Sequence, residues 1–224
     1  MPQPLEHLQE RLNHRFRDSA VLIAAMTHAS TGSDSNYERL EFLGDRVLGL
    51  VMAELLYRQF PNEPEGHLAK RHAALVQGAL LAVIAREIDL GAYLILSDAE
   101  RVSGGADNEN MLADGLEALI GALYLDAGLD ICHALIARLW GARVSILSSP
   151  PQDPKTALQE WAQGRGLPLP LYELSGRDGP DHAPQFTMSV TVQGFTPAMA
   201  TGASRRAAEK ESARLLLERL QGQE

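Results

Sequence analysis

The chain has 224 residues, 45% of them hydrophobic, and a formal net charge of −9 at pH 7. This length suits one large domain or two small ones with a proper core. The acidic balance is unusual for a nucleic-acid-binding protein, in which a basic surface is expected.

The acids are unevenly distributed along the chain. Residues 1–148 hold 12 Lys and Arg against 20 Asp and Glu, whereas residues 149–224 hold 8 against 9.

The single cysteine, Cys132, excludes an internal disulfide and favours a reducing compartment. No basic segment precedes an apolar run at the N-terminus, and no apolar stretch is long enough to span a bilayer. We therefore expect a cytoplasmic protein with no membrane partner.

The first two thirds of the chain are predicted to be helical. Leucine spacing indicates a short amphipathic helix over about 5–12, and Asp18 can cap the next helix, from Ser19 to about His28. Asn36 can cap a long helix that Pro61 ends. Further helices are expected over about 68–88 and 130–147, with a flexible loop over 103–107.

Three acids lie on one face of the long helix. Glu38, Glu41 and Asp45 occupy positions i, i+3 and i+7 among core-forming leucines. At ~4 Å and an effective dielectric of ~20, each pair of such charges repels by about 4 kcal/mol. Because a cation would convert this repulsion into attraction, the pattern indicates half of a metal site.

A second acidic helix is predicted over 110–126. Asp114 and Glu117 stand at i and i+3 among small and apolar residues, and Gly121 with Ala122 allows close helix packing. Residues 1–148 therefore read as an all-α domain.

The pattern changes after residue 148. Residues 148–152 have the composition of a linker. A helix over 154–164 is followed by three stretches that alternate as strands do, and by a helix over 204–220. The three predicted strands cover 171–175, 185–192 and 195–200.

Two stretches of the helical domain resemble a known enzyme family. Residues 38–48, ERLEFLGDRVL, closely resemble the signature of ribonuclease III, an endonuclease of double-stranded RNA, and 114–122 resemble its second signature. Arg46 departs from the small residue usual in the family and, next to Asp45, should point away from the site. Gly115 replaces a larger residue and costs the helix about 1 kcal/mol relative to Ala.

The C-terminal α-β-β-β-α order resembles a double-stranded-RNA-binding domain. The matching segments are 153–160, 179–186 and 204–209. The two resemblances together imply an all-α endonuclease domain of ribonuclease III type at 1–148, a linker at 149–152 and a small α+β double-stranded-RNA-binding domain at 153–222.

The resemblance implies four metal ligands. They are Glu41, Asp45, Asp114 and Glu117, with Asp45 and Glu117 closest to the chemistry. Phosphodiester hydrolysis needs an activated water and stabilisation of developing negative charge, which divalent ions supply. The implied cofactor is Mg²⁺, with Mn²⁺ as a substitute, because carboxylate oxygens suit hard ions and the chain lacks zinc-type Cys/His spacing.

A further set of residues is expected to contact RNA. Double-stranded RNA is read mainly by shape, through 2′-hydroxyl and phosphate contacts. In the nuclease domain the resemblance implicates Glu38 and Glu65, for which an ordinary solvated acid is an equal alternative. In the C-terminal domain it implicates Gln159, Glu160, His182, Ser204, Arg205, Arg206 and Lys210. A basic helix start that is merely solvated is the alternative for the last four.

The predicted function is metal-dependent endonucleolytic hydrolysis of double-stranded RNA, leaving 5′-phosphate and 3′-hydroxyl ends, in rRNA and mRNA processing. The alternative is a non-catalytic double-stranded-RNA-binding protein, which would have no use for four clustered carboxylates. A hydrolase of DNA or small phosphates is disfavoured by the C-terminal domain.

A symmetric homodimer through the catalytic domain is also expected. A duplex has two antiparallel strands, and a two-fold axis supplies two oppositely oriented sites from one sequence. The resemblance points to Phe42 as an interface residue; the alternative places Phe42 in the core of its own chain.

Overall fold

A computed structural model describes residues 2–146, 153–180 and 183–222. The chain divides into two compact units, Met1–Pro151 and Gln152–Glu224. The expected linker at 149–152 and the predicted RNA contact His182 lie outside the described residues.

The first unit is all-α, as predicted. Within its described residues the helices are α1 Leu5–Leu12, α2 Ser19–Met26, α3 Glu38–Gln59, α4 Glu65–Leu75, α5 Gly78–Glu87, α6 Asp98–Val102, α7 Glu109–Ala127 and α8 Leu129–Ile146. The predicted cap Asp18 accepts a hydrogen bond from the Ala20 N–H at 2.9 Å. Asn36 accepts one from the Glu38 N–H at 3.0 Å, which helps to start α3.

Helix α7 forms the centre of this unit. Its buried side chains include Leu116, Leu119 and Leu123, and α2, α3, α5 and α8 pack around it. Gly115, the unusual glycine, is buried here, and a Cβ at this position would lie 3.2 Å from Leu94 Cδ2.

Helices α3 and α7 touch backbone to backbone. A Cβ added at Gly44 would lie 1.7 Å from the Glu117 carbonyl oxygen, and one at Gly121 would lie 2.2 Å from the Leu40 carbonyl oxygen. Real Cβ atoms do not approach a backbone this closely, so only glycine fits at either position. This crossing sets the separation between the acids of the two helices.

One local prediction is wrong. The helix expected over 68–88 breaks at Gln77, which is extended with ψ 143°, giving two helices bent by 50°. The buried Trp140 side chain donates to the Leu75 carbonyl at 2.8 Å and satisfies the end of α4. The loop over 103–107 contains a 3₁₀ turn, and Asp107 accepts from Arg86 at 2.6 Å.

No single helix among the described residues is long and apolar enough to cross a membrane. The bent pair formed by α4 and α5 meets the requirement by length and composition only.

The second unit has the predicted α-β-β-β-α order. Its elements are α9 Pro154–Gln163, β1 Leu171–Asp178, β2 Gln185–Thr191, β3 Ala198–Gly202 and α10 Arg205–Gln221. The sheet is antiparallel in the order β1-β2-β3, with Met188 opposite Leu174 on one side and Ala200 on the other. Leu158 of α9 and Leu216 of α10 help to form its core.

The third strand begins later than expected, at Ala198 instead of Phe195. The Phe195 ring packs edge-on against Trp161, with ring centroids 5.4 Å apart. The carbonyls of Thr196 and Pro197 accept hydrogen bonds from Arg219, so they are not available to a strand ladder.

Candidate functional site

Three of the predicted metal ligands converge where α3 crosses α7. Carboxylate oxygens of Glu41, Asp114 and Glu117 lie within 4.8 Å of one another, and all three side chains are half-buried. The Gly44 contact places α3 directly against the Glu117 backbone. Within the part of the chain that the structure describes, no other three potential ligand residues come this close together.

Asp45, the fourth predicted ligand, lies beside this group, and its carboxylate is paired with a basic side chain. Its carboxylate forms an ion pair with Arg46, the next residue on α3. The expectation that Arg46 points away from the site is therefore wrong. A long, flexible guanidinium can curl back to the adjacent acid and relieve part of the local repulsion.

Burial raises the pKa of all three clustered acids, and repulsion from neighbouring acids adds to the rise for Glu41 and Glu117. Burial raises the pKa of Glu117 to about 8, and the charges of Asp45, Glu41 and Asp114 add to this rise while Arg46 opposes it. Burial, with nearby acids, likewise raises the pKa of Glu41. A half-buried group of acids in this state favours either a proton or a cation.

Tyr37 and His28 lie close to Asp114 and counteract the rise in its pKa. Burial raises the pKa of Asp114, while the charge of His28 and a hydrogen bond from the Tyr37 hydroxyl lower it. The His28 and Tyr37 rings meet edge to face with centroids 5.2 Å apart. His28 Nδ1 lies 3.0 Å from the Ser30 backbone nitrogen, which helps to fix the orientation of the ring.

Sequence reasoning missed these two supporting residues. The available signal was the position of Tyr37, immediately before the acidic helix. A buried tyrosine there needs a hydrogen-bond partner, and the acids supply it.

The donor set suits a hard divalent ion. Every ligand atom in the cluster is a carboxylate oxygen, without sulfur or imidazole nitrogen. Such sites select Mg²⁺, Mn²⁺ or Ca²⁺ over zinc or copper. A bound ion would also offset the repulsion that raises the pKa of Glu117.

The two further acids predicted to act in this unit are not among the three clustered residues. Glu38 and Glu65 are exposed in the first turns of α3 and α4. The connector before Glu65 is held by the buried Arg71, which donates to both Glu63 carboxylate oxygens at 2.8 and 2.6 Å. Exposure is compatible both with an RNA-facing role and with an ordinary solvated acid.

Phe42 belongs to an exposed apolar face. The Phe42 side chain is 67% exposed, and that of Leu125 is 59% exposed. A cavity of about 1030 Å³ on this face is lined by Phe42, Leu125 and neighbouring residues of α2 and α3. Phe42 is therefore not a core residue of its own chain.

The second unit presents a polar and basic set on α9 and α10. Gln159, Glu160, Arg205 and Arg206 are exposed. Ser204 caps α10 by accepting a hydrogen bond from the Ala207 N–H at 3.1 Å. The helix start thus offers backbone donors and two guanidinium groups to an anion.

Lys210 already has an intramolecular partner. Its Nζ lies 2.8 Å from Asp153 Oδ2. In neighbouring positions, Lys155 Nζ lies 2.5 Å from Glu209 Oε2. These two ion pairs join the start of α9 to the start of α10, and they offset part of the basic charge there.

Family models match both units. A ribonuclease-III-like model matches residues 18–141, and a double-stranded RNA binding motif model matches residues 154–220.

Similar proteins span nearly the whole chain. A protein named Ribonuclease 3 from Rhodobacter capsulatus is 50% identical over 97% of this chain and 96% of its own length. One of the same name from Anaplasma marginale (strain Florida) is 46% identical over 95% and 93%.

A solved structure matches the first unit. It is the nuclease domain of ribonuclease III from Campylobacter jejuni, described for flexibility in a region involved in dimer formation. The TM-score is 0.62 at 41% identity, and the match covers 64% of this chain and all of that one.

Proposed function

The chain belongs to the ribonuclease III family, and on that basis we propose that its α3–α7 acid cluster hydrolyses double-stranded RNA with the help of Mg²⁺. The chain is an endoribonuclease of double-stranded RNA with an RNA-binding domain at its C-terminal side. The observation that carries the site assignment is the convergence of Glu41, Asp114 and Glu117 within 4.8 Å.

Glu41, Asp45, Asp114 and Glu117 are the proposed ligands. Bound divalent ions supply a nucleophilic water and stabilise charge on the phosphoryl oxygens. The chain's part is to hold four carboxylates at fixed separation, because their helices touch through glycine backbones. Asp45 and Glu117 are proposed to lie closest to the reacting phosphate. Mn²⁺ is the proposed substitute, since it shares the preference for oxygen ligands.

RNA binding is proposed to use both units. In the C-terminal unit the exposed Gln159 and Glu160 suit 2′-hydroxyl contacts, and Ser204, Arg205 and Arg206 suit phosphate. Lys210 joins them once its pairing with Asp153 is exchanged for phosphate. His182 remains a proposed contact, as do Glu38 and Glu65 in the nuclease unit.

The active form is a homodimer through the nuclease unit, and we propose Phe42 as an interface residue. The exposed apolar face around Phe42 is the kind of surface that a second copy covers. The domain boundaries at 148 and 153, the action on rRNA and mRNA precursors and a cytoplasmic location are proposed with it.

One cleavage experiment tests the proposal. Long double-stranded RNA should be cut only when Mg²⁺ or Mn²⁺ is present, giving fragments with 5′-phosphate and 3′-hydroxyl ends. Glu117→Gln keeps the volume and removes a ligand charge, so cleavage should fall at least about 10³-fold while RNA binding persists. Cleavage by Glu117→Gln at the wild-type rate would remove the site assignment. Retained binding without any cleavage by the wild type would favour the non-catalytic alternative.

A further inference from the structure

Arg46 is paired with Asp45, beside the acid cluster. Its guanidinium pairs with the Asp45 carboxylate while its side chain remains 68% exposed. The guanidinium carbon also lies 5.4 Å from the centre of the Phe42 ring, one helical turn earlier on α3. Arg46 therefore stands between a proposed metal ligand and the exposed apolar face.

A guanidinium in this position has two effects on the site. It is charged at every physiological pH, so it offsets repulsion among the acids whenever no metal is bound. It also attracts the same carboxylate that an incoming divalent ion needs, and its positive charge repels that ion. The first effect stabilises the metal-free protein and the second weakens metal binding.

We propose that Arg46 is a built-in counter-ion that competes with the divalent metal for Asp45 and so sets the metal concentration at which the site fills. The inference rests on the metal site proposed above. Arg46 is a positioning residue here, because it acts on the metal through Asp45.

The structure provides a place for Arg46 after displacement. The Phe42 ring already lies within cation–π distance, so the guanidinium can leave Asp45 without losing all of its contacts. Because the Arg46 side chain is exposed, its movement away from Asp45 would not displace core residues. Competition of this kind requires only rotation of a surface side chain.

A matched pair of variants isolates this effect. Arg46→Ala removes the competitor. Arg58→Ala removes the same charge from the same helix, at a side chain 69% exposed that pairs with Glu54 at 2.5 Å. Both variants lower the net charge equally, so a general electrostatic effect on cation binding appears in both and cancels in the comparison.

Metal binding is measured directly, without RNA or turnover. Free Mn²⁺ is followed by electron paramagnetic resonance during titration of each protein, and Mg²⁺ by its displacement of Mn²⁺. Arg46→Ala should bind Mn²⁺ roughly two- to tenfold more tightly than Arg58→Ala, as expected for removal of one exposed ion pair and one repulsive charge. Arg58→Ala should bind close to the wild-type value.

Thermal unfolding gives a second readout. Without metal, Arg46→Ala should unfold at a lower temperature than Arg58→Ala, because the acids lose their counter-ion. Saturating Mn²⁺ should raise the unfolding temperature of Arg46→Ala by more than that of Arg58→Ala. Equal Mn²⁺ affinity in the two variants, or weaker binding by Arg46→Ala, would overturn the inference.

Asp45→Asn distinguishes failure of the proposed metal site from failure of the proposed role of Arg46. Suppose that the wild type binds Mn²⁺ and that Asp45→Asn weakens this binding. If Arg46→Ala then has the same Mn²⁺ affinity as Arg58→Ala, only the proposed role of Arg46 fails. If Asp45→Asn binds Mn²⁺ as the wild type does, Asp45 is not a ligand and the metal assignment and the Arg46 inference fail together.

Discussion

The two units differ in how they arrange some of their acids, although both contain ion pairs, such as that of Arg71 with Glu63 in the nuclease unit. In the RNA-binding unit, acids at the helix starts have basic partners, as in Lys210 with Asp153 at 2.8 Å. In the nuclease unit, three half-buried acids face one another within 4.8 Å. Surface ion pairs join elements but add little to the stability of the fold, whereas clustered like charges destabilise the fold until a cation binds between them. The same residue types thus join helices in one unit and form the proposed metal site in the other.

The largest expected effect comes from separating the two acidic helices. Gly44→Ala places a Cβ 1.7 Å from the Glu117 carbonyl oxygen, so α3 and α7 must move apart. We expect the nuclease unit to lose about 3 kcal/mol or more of stability, the upper range for overpacking. Denaturant unfolding measures this loss, and cleavage should fall with it.

Gly141→Ala is the matched control for this change. Gly141 lies inside α8, and an added Cβ would meet no atom within 4 Å. Alanine should therefore stabilise the helix by up to about 1 kcal/mol. If Gly44→Ala behaves like Gly141→Ala, the acids are not held by the backbone contact.

Phe42→Ala tests whether the nuclease unit alone carries a self-association face. A central aromatic contact in an interface contributes about 2 kcal/mol or more, so the dimer should dissociate at least tenfold more readily. Sedimentation velocity over a concentration series measures the change, and circular dichroism should show unchanged helicity. Val102→Ala, at an 89% exposed apolar residue of α6, should leave the dimer intact. A wild type that sediments as a monomer at micromolar concentration while cutting both strands contradicts the dimer.

The stability of the metal-free protein should depend on the protonation of Glu117. Its folded pKa of about 8 lies above the ordinary value of 4.5. Stability from the neutral form is therefore fully present below about pH 4.5 and is lost as pH rises through 8. We expect a loss of roughly 1–2 kcal/mol between pH 5 and 8 that Glu117→Gln removes and that Mg²⁺ reverses. Identical pH profiles for Glu117→Gln and the wild type would show that the cluster is not strained by charge.

The smallest effect is expected in the unit with paired charges. Asp153→Asn preserves the helix cap and releases Lys210, so double-stranded RNA should bind a few-fold more tightly at low salt. Glu211→Gln, which removes an acid from the Arg214 pair on α10, is the control. Filter binding at several salt concentrations measures both, and the salt slope should steepen only for Asp153→Asn. An unchanged affinity would mean that Lys210 does not contact RNA.

The fold was largely predictable because its signals are local and periodic. Apolar spacing predicted the helices, and alternation predicted the three strands within a few residues. The break at Gln77 was not predictable, since the group that satisfies the end of α4 is Trp140, far along the chain.

The candidate site was predictable in its acids and not in their surroundings. Spacing placed acids on one face of each of two helices, and the family resemblance implied that Glu41, Asp114 and Glu117 share a site; the structure brings these three together. Adjacent residues on a helix point in different directions, so spacing gave no sign that Arg46 would curl back to Asp45. The support of Asp114 by Tyr37 depends on a tertiary contact, which single-sequence patterns do not encode. The roles of all these residues stay predictions.

The glycine crossing also bears on how freely the rest of the nuclease unit can change in sequence. The distance between the acids of α3 and α7 is fixed where main chain meets main chain, at Gly44 and Gly121. At this crossing no side chain separates the two backbones, so substitutions among the surrounding leucines should change the distance less than substitutions at the two glycines. The geometry of the proposed site should therefore be insulated from drift in the core, and tolerance to mutation should be lowest at two residues that have no side chain at all.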